Sequence, residues 1–79
     1  MAMNRSAQIG TALPPLMSVE ATRVACGGRG RGWVYERING GDFETITDGG
    51  RRLIVTESIL AWLERKRDEE RARHAAEAL

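Results

Sequence analysis

A chain of 79 residues allows one small domain with short extensions, because a chain of this size buries only about 60% of the surface its unfolded form exposes, and an enzyme built around a deep enclosed cleft is excluded. The 42% hydrophobic content is inflated by alanine; the large apolar residues lie almost wholly between Ile9 and Leu63, so that stretch must carry the core. Twelve Lys/Arg against eleven Asp/Glu leave a net charge of +1, which does not by itself mark a nucleic-acid binder. The single cysteine, Cys26, has no partner for an intramolecular disulfide, and one Cys with one His cannot build a zinc site. No apolar run approaches the roughly 18 residues of a membrane span, and the N-terminus lacks the apolar core of a signal peptide. A cytoplasmic location with no membrane partner is the expectation.

From Met1 to Pro15 the chain is Ser, Ala, Gln, Gly and Thr with scattered apolar residues and no sustained period, which predicts a flexible arm over residues 1–15. Ser18 is a good N-cap, Glu20 falls in the first turn where the helix dipole favours an acid, and Val19 and Val24 offer apolar contacts, predicting a short helix from Val19 to Cys26. Gly27-Gly28 stops it, and a turn follows through Arg29-Gly30-Arg31-Gly32. Between Trp33 and Asn39, Val34 and Ile38 are one turn apart on one face while Trp33 and Arg37 share a neighbouring one; this is a second short helix, ended at Gly40-Gly41.

Phe43, Thr45 and Thr47 alternate with Glu44 and Ile46, Asp48-Gly49-Gly50 supplies turn residues, and Arg52-Leu53-Ile54-Val55 is rich in β-branched residues, so a two-stranded hairpin is expected. Thr56 is the expected cap of a third helix, with Val55 and Leu60 as its hydrophobic staple and Ile59, Leu60, Trp62 and Leu63 as its apolar face. Beyond Leu63 the stripe ends. Arg65 with Glu69, Lys66 with Glu70 and Glu69 with Arg73 stand four apart with opposite charge, so the helix is predicted to run on into solvent and fray from His74.

The order helix, glycine turn, helix, hairpin, helix predicts an α+β fold, a small winged helix-turn-helix, in which the second helix enters the DNA major groove and the hairpin is the wing. Charge placement agrees: Arg29 and Arg31 lie in the turn, Arg37 on the second helix, and Arg51 and Arg52 beyond the hairpin turn. The candidate DNA-contacting residues are Arg29, Arg31, Gly32, Trp33, Glu36, Arg37, Gly50, Arg51 and Arg52. Strand alternation points Arg51 and Arg52 to opposite faces, so one of the pair is expected to grip phosphate. Trp33 has two readings, a core anchor or an exposed aromatic against sugar or a thymine methyl.

The run Met17-Ser18-Val19-Glu20-Ala21, then Val34-Tyr35 with Ile38, Gly41-Asp42-Phe43, Gly50-Arg51-Arg52-Leu53-Ile54-Val55 and Leu60-Ala61-Trp62-Leu63 resembles the excisionase family of small MerR-like winged helix-turn-helix proteins. The resemblance covers residues 16–64, which it marks as the DNA-binding domain, with a charged helical tail over 65–79. Two departures stand out: the family's turn is hydroxyl-rich and one residue shorter than Gly27 to Gly32, and Trp33 stands where the family carries Thr or Ser facing the DNA backbone. The resemblance implies a recombination directionality factor of a phage or integrative element. Such a protein binds repeated double-stranded DNA sites, bends them, and assists an integrase of the tyrosine recombinase type. A monomer in free solution and several copies on DNA are the corresponding expectation. A small transcription regulator of the same fold shares the same DNA-facing parts.

Other readings of the same residues are weaker. Gly28-Arg29-Gly30-Arg31-Gly32 lacks the Gly-Lys-Ser/Thr ending of a phosphate-binding loop and follows a helix rather than a strand. As an arginine-glycine tract or an AT-hook core it occurs once and lacks the following proline. The acids Glu20, Glu36, Asp42, Glu44 and Asp48 show no convergent pair, so no catalytic residue and no cofactor is expected. A protein-interaction module acting through the charged C-terminal helix is the rival from another class.

Overall fold

The computed structural model describes residues 13–78; Leu79 and residues 1–12, which make up most of the expected arm, lie outside the described residues. In chain order the elements are β1 (Leu16–Met17), α1 (Val19–Ala25), α2 (Arg31–Asn39), β2 (Thr45–Asp48), β3 (Arg51–Val55) and α3 (Thr56–Ala78). Among the described residues three helices thus accompany one antiparallel sheet of strand order β1-β3-β2, a small α+β arrangement. No helix among the described residues is long and apolar enough to cross a membrane.

Local chemistry explains the helix ends. The Ser18 side-chain oxygen accepts a hydrogen bond from the Ala21 N–H at 3.0 Å, capping α1 as its residue type predicts. Both short helices close in the same way: the Gly28 N–H donates to the Arg23 carbonyl (3.0 Å) and Gly27 N–H to Val24 (3.2 Å), while Asp42 N–H donates to Arg37 (2.9 Å) and Gly41 N–H to Ile38 (3.1 Å). This pairing needs a left-handed residue just past the helix, and Gly27 and Gly41 take it at φ 95° and 84°. Cys26 is the half-buried residue at the end of α1, and burial pushes its thiol up from the usual range. The second helix begins two residues earlier than the expected Trp33, with Gly30 as its N-cap and no side chain capping it. Its first-turn amides need no partner within the helix, so Arg31 and Gly32 can join it.

The hairpin pairs Asp48 with Arg51, Thr47 with Arg52, Ile46 with Leu53 and Thr45 with Ile54, leaving Gly49-Gly50 as a two-residue turn with φ 59° and 81°. Positive φ at both positions is the signature of a turn whose twist matches the flanking strands. Gly50→Ala should therefore cost about 1–2 kcal/mol from backbone conformation alone, since nothing lies within 4 Å of an added Cβ. Thermal melting measures it, and an unchanged melt would mean the turn relaxes to another type.

The strand β1 has no counterpart among the predicted elements. Leu16 pairs with Val55 and Met17 with Ile54, so Leu16 opens a third strand. The expected arm also ends sooner than Pro15: the Thr56 N–H donates to the Pro15 carbonyl at 2.9 Å and the Thr56 hydroxyl to the Pro14 carbonyl. Thr56 is thus a buried link at the β3–α3 junction, where a cap was expected. Ser58 does comparable work there, donating to the Val55 carbonyl (2.6 Å) and accepting from the Glu44 N–H (2.9 Å).

Met17, Val19, Val34, Phe43, Ile54 and Ile59 form the buried core, with Cys26, Trp33, Tyr35, Ile38 and Trp62 packed against it. On α3 the apolar face is narrower than expected: Ile59 and Trp62 pack inward, while Leu60 and Leu63 stay 45% and 44% exposed. Val24, expected to contact the core, is also exposed. The tail of α3 is held at its surface by ion pairs three apart, Arg67–Glu64, Lys66–Glu69, Arg71–Asp68 and Arg73–Glu70, in place of the expected pairs four apart.

Candidate nucleic-acid interface

Arg31 opens α2, and Arg51 and Arg52 open β3 directly after the glycine turn. Folding brings these three side chains, distant in sequence, to one open groove of about 320 Å³ that Ser18, Val19, Glu20 and Tyr35 also line. Alternation along the strand points the Arg51 and Arg52 side chains to opposite faces; both residues border this groove, and Arg51 also lines a second one together with Leu53, two residues on.

None of the three arginines makes an ion pair among the described residues. The one carboxylate lining the groove, Glu20, is held by Arg23 through two hydrogen bonds, Nε to Oε1 at 3.2 Å and a terminal nitrogen to Oε2 at 2.7 Å. Those bonds and the Arg23 charge keep the Glu20 carboxyl below its usual range, and the charge of Arg31 adds to the effect. Glu20 is thereby matched chiefly to Arg23, and three arginines against this one carboxylate leave the groove with an excess of positive charge. An anion with several oxygens is what such a surface attracts, and guanidinium groups suit the oxygens of a phosphate.

The other two candidate arginines are turned to a different task. Arg29 lies with its guanidinium carbon 4.8 Å from the centre of the Trp33 ring, and that of Arg37 lies 5.5 Å from it. The Arg37 side chain is half-buried, with Nε 3.7 Å from Asp42 Oδ2, and Asp42 Oδ1 in turn stands 3.4 Å from Arg65 on α3. Arg37 therefore ties the end of α2 to the following loop and to α3. Arg37 does not line the groove formed by Arg31, Arg51 and Arg52; its contacts are with Trp33 and Asp42.

Trp33 resolves to the first of its two readings. Its ring meets Phe43 at 5.9 Å and Trp62 at 5.5 Å, and Phe43 meets Trp62 at 5.7 Å, all edge to face. Gly32 and Glu36 are exposed on the outer side of α2, and Gly50 sits in the hairpin turn. Ser18 and Tyr35 were not among the predicted site residues, although both line the groove. For Tyr35 a signal existed, since it is four residues after Arg31 and so shares its side of the helix.

Comparison with protein-family models, with curated proteins and with solved structures finds no match for this chain.

Proposed function

We propose that the protein binds double-stranded DNA as a small winged helix-turn-helix protein, with α2 directed into the major groove and the β2–β3 hairpin as the wing. The convergence of Arg31, Arg51 and Arg52 on one groove, where none of them makes an ion pair among the described residues, is the observation that carries this reading. Two of these arginines come from the hairpin and one from the first turn of α2, so a single phosphate backbone can be gripped by both elements at once. The role of excisionase rests on the resemblance of residues 16–64. On that ground the partners proposed are a tyrosine-recombinase-type integrase and further copies of the same chain. A single small module presents an interface of about 600–1,000 Å², so several copies side by side are needed for selective occupancy of a long site.

A mobility shift with duplex from an attachment region, run at two salt concentrations, tests the proposal. The expected result is a retarded complex that weakens with salt and builds up in several steps on a multi-site duplex. A single copy bound at saturation would favour a transcription regulator of the same fold. Absence of any salt-sensitive complex would favour an interaction module working through the charged surface of α3.

A further inference from the structure

Resting on the DNA-binding reading, we infer that Glu36 and Asn39 are the specificity-determining residues of α2, selecting cytosine or adenine over guanine and thymine on the strand whose base edges they meet in the major groove. Gly32, Glu36 and Asn39 are spaced four and three residues apart and lie on one side of α2, and all three are exposed. The opposite side is committed to the fold through buried Val34 and through Trp33 and Ile38. An added Cβ at Gly32 would meet nothing within 4 Å, so the helix backbone is open to close approach at that point. Arg31 and Tyr35 border this side of the helix and line the arginine groove. A duplex whose phosphates are held there presents its base edges to Gly32, Glu36 and Asn39.

Chemistry separates the two roles. Glu36 makes no ion pair among the described residues, so it presents a bare carboxylate beside a surface that otherwise attracts phosphate. Such a group lowers affinity for every sequence unless a donor meets it. An ionised carboxylate only accepts hydrogen bonds, so the amino groups of cytosine N4 and adenine N6 satisfy it, whereas guanine O6 and N7 and thymine O4 oppose it. Asn39 carries a donor and an acceptor together, which matches the N6 and N7 edge of adenine. The arginines thus supply affinity, and Glu36 and Asn39 decide which sequences keep it.

The test is selection from a pool of randomised duplexes, with sequencing of the bound fraction, for the parent, Glu36→Gln, Asn39→Ala and the double variant Arg51→Ala/Arg52→Ala. Both α2 side chains are exposed, and thermal melting of each variant confirms that the fold is kept. Glu36→Gln is expected to bind the bulk pool more tightly and to lose about tenfold of base preference at one position. Asn39→Ala is expected to lose a similar preference for adenine at another. The arginine variant should bind more weakly with the base profile unchanged. A parent that binds without base preference, or a Glu36→Gln profile identical to the parent's, overturns the inference and leaves the DNA-binding reading standing. A parent that retains no duplex in a salt-sensitive way overturns both.

Discussion

Replacing Arg31, Arg51 and Arg52 together by alanine is expected to reduce duplex affinity by about a thousandfold, taking about 1.5 kcal/mol for each charge-assisted bond removed. The dependence of log affinity on log salt should flatten by about 2.7, at about 0.9 for each phosphate that is no longer neutralised. The three residues are exposed and make no ion pair among the described residues, so the melt should move by no more than about 0.5 kcal/mol. Titrations at several salt concentrations, with a thermal melt of the same variant, give both quantities. Arg37→Ala supplies the contrast, because its contacts with Trp33 and Asp42 are internal: stability should fall while the salt slope stays near that of the parent. An unchanged slope in the triple variant would remove the hairpin and the start of α2 from the DNA.

Phe43→Ala should be the most damaging single substitution to stability, costing about 3–5 kcal/mol. Phe43 is 2% exposed and touches both tryptophans, one from α2 and one from α3, so its loss opens a cavity where those helices meet. At about 0.05–0.15 kcal/mol per residue, a chain of this size holds about 4–12 kcal/mol in all, and loss of a cooperative melt is the expected outcome. Leu63→Ala should cost under about 1 kcal/mol, since the side chain is 44% exposed. Its residue type and position made it look the equal of Trp62, and comparison of Leu63→Ala with Trp62→Ala, which removes a side chain packed against the core, by thermal or denaturant melting decides between these views. Equal losses would mean that α3 turns another face to the core.

What the amino-acid sequence by itself determined about this protein is the part governed by neighbours along the chain. Ser18 caps α1 because its hydroxyl reaches an amide three residues on, glycine pairs end both short helices because they accept the left-handed conformation, and Asp48-Gly49-Gly50 sets the hairpin register. Each is a short-range requirement with a residue type that meets it. The strand β1 escaped that reading because two residues carry no period and their partners, Val55 and Ile54, are distant in sequence. Which arginines gather was likewise decided only by tertiary structure. Arg29, Arg31, Arg37, Arg51 and Arg52 are alike as residues, yet the packing of Trp33 against Phe43 and Trp62 draws two of them to its ring. The other three come together at one groove beside the start of α1, which packs on β3. Charge attraction has no fixed range along a chain, so the partner of a long flexible side chain follows from where the backbone elements come to rest, which is set by the burial of the apolar residues around them.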